Sequence, residues 1–145
     1  MERLGTVEEA FEVFKKVPEL DQYLSIEQMR EKIQDGALIL VSENKGQLIG
    51  FKIGYPLNDN EFYSWLGGVI PEMRKLGSAK RMLALQEKIV RERSFTSITV
   101  KSMNRFRSML HMLLANDYDI TAVENYGNKD GERICFKKVF ESTYL

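Results

Sequence analysis

At 145 residues, 43 % of them hydrophobic and 29 % charged, the chain is long enough for one substantial core and too short for two, with a composition ordinary for a soluble globular domain. Lys plus Arg and Asp plus Glu both number 21, so the net charge is zero and makes no global case for nucleic acid or an anionic membrane. One Cys and one His leave too little for an internal disulfide or a common structural zinc site, and no apolar run approaches the ~20 residues of a membrane span.

These features predict a single domain over residues 1–145, with no metal, no nucleic acid and no membrane among its partners. The lone Cys135 and the lack of an N-terminal apolar run before a cleavage site predict a cytoplasmic location. Cys135 itself reads as a small apolar residue in a strand.

In chain order, Thr6-Val7-Glu8-Glu9 has capping-box spacing and opens a helix with Val7, Ala10, Phe11, Phe14 and Val17 on one face, ending before Pro18. Ser25-Ile26-Glu27-Gln28 repeats the cap, and a second helix is expected to run to about Gly36. Ala37–Val41 is a buried-strand run. Asn44-Lys45-Gly46 turns the chain into a returning strand over Leu48–Tyr55, so the pair reads as a hairpin. A third long strand covers Phe62–Ile70. Gly67-Gly68 within it predicts either a bulge or a close approach by other backbone or a ligand.

Pro71 stops that strand, and a short basic turn leads to a helix from Gly77 to about Arg93. A strand over Ser97–Lys101 follows, then a helix from Asn104 with Phe106, Met109, Leu110, Leu113 and Leu114 at helical spacing. Met103, Met109 and Met112 read as core packing in preference to a cofactor-facing sulfur cluster. The chain closes on a second hairpin, with strands over Tyr118–Asn125 and Arg133–Phe140 and a turn over Tyr126–Gly131. The exposed edge of the last strand is a candidate for pairing with a second copy, as in a homodimer.

The strand, turn and helix start around residues 69–83 carry the chemistry. N–H groups in the first turn of a helix have no intrahelical acceptor, and the macrodipole adds roughly half a positive charge there. Gly77 removes a Cβ that would hold a phosphate at a distance. Ser78 and Ala79 keep the approach open, and Arg74, Lys75, Lys80 and Arg81 supply positive charge. This stretch reads as a pyrophosphate cradle. It lacks both G-x-G-x-x-G and G-x-x-x-x-G-K-[ST], which argues against dinucleotide and P-loop binding.

Arg74-x-x-Gly77-x-Ala79, preceded by Val69-x-Pro71, resembles the R/Q-x-x-G-x-G/A motif of GNAT-type N-acetyltransferases, which hold the pyrophosphate of acetyl-coenzyme A. Asn104, following the strand that ends near Val100 and opening an apolar helix, resembles the family's Asn-bearing strand exit. Over roughly residues 6–140 the resemblance implies an α/β (α+β) fold: a mixed, mostly antiparallel sheet with a splayed parallel strand pair and helices on both faces. The splayed strands would be Phe62–Ile70 and Ser97–Met103. Here only Met1–Gly5 precede the first helix, so the usual first strand is short or missing.

The resemblance also implies acetyl-CoA as co-substrate and an amine as acetyl acceptor. The pantetheine arm would lie along Leu66, Gly68, Val69 and Ile70, the pyrophosphate would meet Arg74, Lys75, Leu76, Gly77, Ser78, Ala79 and Lys80, and Asn104 would face the arm or the thioester. A backbone N–H near Val69, freed by a bulge, would be the oxyanion donor. The Tyr that commonly protonates the departing thiolate is absent. Counting forward from Asn104 gives His111 and counting back from Tyr118 gives Leu113. The usual strand carboxylate is also absent, leaving Glu61 and Tyr63 nearby. The candidate catalytic residues are therefore Glu61, Tyr63 and His111. A non-catalytic acyl-CoA-binding or regulatory module of the same fold is the alternative.

Overall fold

The computed structural model describes residues 1–20, 23–125, 127 and 132–140. Its elements are β1 (Glu2–Leu4), α1 (Val7–Phe14), α2 (Ile26–Lys32), β2 (Leu38–Asn44), β3 (Gln47–Pro56), β4 (Glu61–Val69), α3 (Ser78–Glu92), β5 (Ser97–Ser102), α4 (Arg107–Ala115), β6 (Asp119–Glu124) and β7 (Arg133–Val139). Short 3-10 turns at Pro18–Leu20 and Pro71–Met73 follow α1 and β4.

Both capping boxes form. The Thr6 hydroxyl accepts from the Glu9 N–H while the Glu9 carboxylate accepts from the Thr6 N–H, and Ser25 and Gln28 do the same for α2. The β2–β3 hairpin turns through Lys45 and Gly46, at φ +52° and +80°; two successive left-handed residues match the twist of the flanking strands. The expected turn at Tyr126–Gly131 lies, apart from Gly127, outside the described residues.

The seven strands form one sheet in the order β1-β2-β3-β4-β5-β7-β6. All neighbours are antiparallel except β4 and β5. The first strand is present but only three residues long. The last strand, β7, lies between β5 and β6, so the edge proposed for pairing with a second copy is not its own; β6 forms the edge on that side of the sheet, and β1 the other.

Two cores flank the sheet. Ala10, Val13 and Phe14 of α1 and Met29 of α2 bury against Val41, Phe51 and Ile53. On the other face, Leu83 and Val90 of α3 and Leu113 of α4 bury against Leu40, Phe62, Ile98 and Phe136. Among the described residues, no helix is long and apolar enough to cross a membrane.

Candidate active site

The site begins with a failure of strand pairing. β4 and β5 pair in parallel from Glu61↔Ser97 to Ser64↔Val100 and no further, although β4 runs on to Val69 and β5 to Ser102. The cause is visible on the other side of β4. Ile53 pairs with Leu66 and Gly54 with Ser64, so Trp65 is an extra residue, and such a bulge bends and twists its strand. Beyond it the β4 edge facing β5 is released, and the two strands fork.

The bulge is thus at Trp65, not at Gly67-Gly68 and not near Val69, where the oxyanion donor was expected. Gly67 and Gly68 are close-approach positions instead. A Cβ on Gly68 would come 3.1 Å from Val17, and one on Gly67 would come 3.1 Å from the Phe51 carbonyl oxygen.

A cavity of about 640 Å³ occupies the fork. Ser64 and Val100 lie where pairing ends, Met82, Met109 and Met112 line it from α3 and α4, and Gly77–Lys80 form another part of its wall. Gly77 is the N-cap of α3 at φ +87°, the left-handed region that suits glycine, and no side chain caps the helix. The first-turn N–H groups therefore remain available to an anion.

The four basic residues of the turn divide. Arg74 donates from Nε to the Val69 carbonyl (3.0 Å) and from both terminal nitrogens to Glu19 (2.5 and 2.8 Å). That carboxylate raises the Arg74 pKa, and the hydrogen bond from Arg74 lowers that of Glu19. Arg81 donates to the Glu2 carboxylate and the Leu76 carbonyl, tying α3 to β1. Lys75 and Lys80 are exposed on the cavity wall, joined by Arg105 and Arg107, which the motif does not reveal.

Of the other expected cofactor contacts, Leu66, Gly68, Val69, Ser78 and Ala79 line the cavity. Ile70, Leu76 and Asn104 are not among the lining residues. Ile70 is buried in the α1-side core and its N–H donates to Ile49, while Leu76 is exposed. The Asn104 amide donates to Glu132 at 3.4 Å.

None of the three acid–base candidates lines the cavity. Glu61, at the start of β4, pairs with Lys137 at 3.1 Å. Tyr63 packs edge-on against Tyr55 with ring centroids 5.5 Å apart, and burial raises its pKa. His111 is exposed, because the helical turn that sends Met109 and Met112 inward sends it outward. Cys135 is half-buried, and burial pushes its thiol pKa up, away from a reactive thiolate.

The sequence reading missed Lys52. This β3 residue is 6 % exposed, lines the cavity, and has no hydrogen-bond or ion-pair partner among the described residues. Burial pushes its ammonium down to about 8, partly offset by Glu87. The available signal was a lysine alone in an otherwise apolar strand, Leu48 to Tyr55.

Solved structures share the fold. The chain is similar to Ard1 from Thermoplasma volcanium (15 % identity, 98 % of each chain covered, TM-score 0.85). It is similar to aminoglycoside 6'-acetyltransferase type Ii (17 %, 96 % of each chain, TM-score 0.80). It is also similar to a GNAT family acetyltransferase from Elizabethkingia anophelis with acetyl-CoA bound (12 %, 97 % of each chain, TM-score 0.76). No curated protein sequence matches the chain. The family model described as "Acetyltransferase (GNAT) family" matches residues 5–112, which include α1, the forked strands and the uncapped start of α3. The chain belongs to the GNAT acetyltransferase family.

Proposed function

We propose that the protein transfers an acetyl group from acetyl-CoA directly to a primary amine of a small molecule or peptide, in the cytoplasm. The observation that carries this reading is the continuity of one cavity from the uncapped N-terminus of α3 to the fork between β4 and β5. The α3 terminus suits a pyrophosphate, with Lys75 and Lys80 beside it. The unpaired β4 edge from Trp65 to Val69 suits an extended, amide-bearing arm. The acetyl-CoA bound to the Elizabethkingia anophelis neighbour supports the same co-substrate, and the lone Cys135 supports the location.

Placed this way, the thioester lies among fixed groups. The acceptor nitrogen, as the free amine, attacks the carbonyl, and the developing oxyanion requires a donor, for which the free backbone N–H groups of β4 are the candidates. The acceptor nitrogen releases a proton, and coenzyme A leaves as the thiol.

Thermal denaturation with and without acetyl-CoA tests the reading. Ligand at ~100 times its dissociation constant adds about 2.7 kcal/mol to stability. Gly77→Glu and Ala79→Glu both place an anion in the cradle and are expected to abolish the shift. Gly77→Glu also strains the left-handed backbone, so Ala79→Glu is the cleaner variant; a carboxylate in the first helical turn favours the helix itself. No shift for the folded wild type would defeat the proposal.

One observation favours a second reading, a non-catalytic acyl-CoA-binding module: Glu61, Tyr63 and His111 all lie off the cavity lining. Release of free coenzyme A thiol from acetyl-CoA with a panel of amines separates the two. Turnover with any acceptor selects the enzyme.

A further inference from the structure

The buried amine of Lys52 has no hydrogen-bond or ion-pair partner among the described residues. On β3 it stands opposite Gly67 of β4, and a Cβ on Gly67 would lie 3.4 Å from Lys52 Cγ. The absent side chain makes room for the lysine stem to lie against β4 at the level of the fork, three residues beyond the last β4–β5 pair. Lys52 shares the cavity wall there with Ser64, Val100, Met109 and Met112.

An unpaired ammonium in an apolar wall is costly, and so requires a reason. Glu87 of α3 is the charge that acts on it, but Glu87 already accepts from the Tyr118 hydroxyl (3.0 Å) and pairs with Lys138 of β7 (2.8 Å). The other facing groups supply no counter-charge. Leu40 is its partner on β2, Ser64 of β4 lines the same cavity, Ser78 and Gln86 are the buried polar residues of α3, and α4 contributes methionines. Elsewhere on the wall, Lys101 of β5 is paired with Glu124, Arg107 of α4 is a cation, and the carboxylate of Glu19 is held by both terminal nitrogens of Arg74. The cavity itself must bring the anion.

This inference rests on the acetyltransferase reading above. In an acyl-CoA the pyrophosphate and the thioester are at opposite ends of the pantetheine arm. With the pyrophosphate at Gly77–Lys80, the thioester end reaches the fork. We propose that Lys52 is the catalytic acid of the reaction, pairing with the sulfur of coenzyme A and protonating it as the thiolate departs.

The balance is simple. The acceptor nitrogen forms its bond to the carbonyl carbon, the carbon–sulfur bond breaks, and its electron pair stays on sulfur. Sulfur takes the Lys52 proton, and the neutral lysine is recharged by the proton released from the acceptor nitrogen through solvent. An acid that titrates near neutrality suits such a transfer, and Lys52 then fills the role left open by the missing helix tyrosine.

The test uses coenzyme A itself and needs no acceptor. The ultraviolet absorbance of the thiolate is titrated for free coenzyme A, for coenzyme A bound to wild type, and for coenzyme A bound to Lys52→Met, with binding followed by calorimetry. The thiol bound to wild type is expected to titrate roughly 1–3 pH units below free coenzyme A, as beside a close opposite charge. In Lys52→Met it should return to the free value or above while binding persists.

Binding with an unshifted thiol in wild type overturns the role of Lys52 and leaves the acyl-CoA reading intact, and this holds even where Lys52→Met fails to fold. No binding at all defeats both. Acetylation of Lys52 on incubation with acetyl-CoA, read as one added acetyl group on that residue, would make it an acceptor and overturn its role as acid.

Discussion

A lysine ammonium held 6 % exposed on an apolar wall loses hydration that no partner among the described residues replaces, and burial lowers its pKa from 10.5 to about 8. By linkage the penalty is on the order of 3 kcal/mol at pH 7. The sign follows from proton counting. Below pH 8 folded and unfolded chains both carry the proton, so the penalty is complete. Between about 8 and 10.5 the unfolded chain binds more protons, so stability rises with pH. Lys52→Met, neutral throughout, should therefore exceed wild type by roughly 3 kcal/mol at pH 7 in chemical denaturation, with the gap closing toward pH 10.5. An equal gap at both pH values would mean that the methionine acts through packing alone. At this scale the sequence is easily misread. Lys52 is one polar letter in an apolar strand, and whether such a lysine points into water or into a cavity depends on what is placed over it.

The turn between β4 and α3 joins local and distant causes. Gly77 and the helix start are local, and the motif exposes them directly. Arg74 is set by a partner 55 residues away, Glu19, and by the Val69 carbonyl. It therefore braces the cradle between the Pro18–Leu20 turn after α1 and the end of β4, beside any part it takes in holding phosphate. Arg74→Lys keeps the charge but loses the two-pronged guanidinium geometry. The expected result is about tenfold weaker acetyl-CoA binding by calorimetry, the equivalent of one charged hydrogen bond, with the fold retained. The start of α4 shows the same dependence. Asn104 is a good capping residue by type, yet the helix begins only at Arg107, with Phe106 at the N-cap position and no side-chain cap, and the Asn104 amide donates to Glu132, 28 residues away.

For the molecule as a whole, the two cores are separable in their effects. Phe14, fully buried, contacts Phe51 edge-on at 6.3 Å between ring centroids and joins α1 to the middle of the sheet. Phe14→Ala should cost about 3–5 kcal/mol in denaturant melts. Because the segment that follows α1 contributes Val17, Glu19 and Leu20 to the cavity wall, acetyl-CoA affinity should fall as well.

The local signals were strong ones. Apolar periodicity, two capping boxes, the Lys45-Gly46 turn and the glycine at the start of α3 each depend on residues within a few positions of one another, so their energetics can be read along the chain. The strand order was not legible in this way. β7 inserts between β5 and β6, although β6 follows β5 in the chain with only α4 between. The bulge at Trp65, the fork and the burial of Lys52 also came from assembly, not from local pattern. Each depends on which strands become neighbours and which side chains cover them. Those pairings are made between residues far apart in the chain, and their cost in hydrogen bonding and desolvation exists only once the sheet has formed.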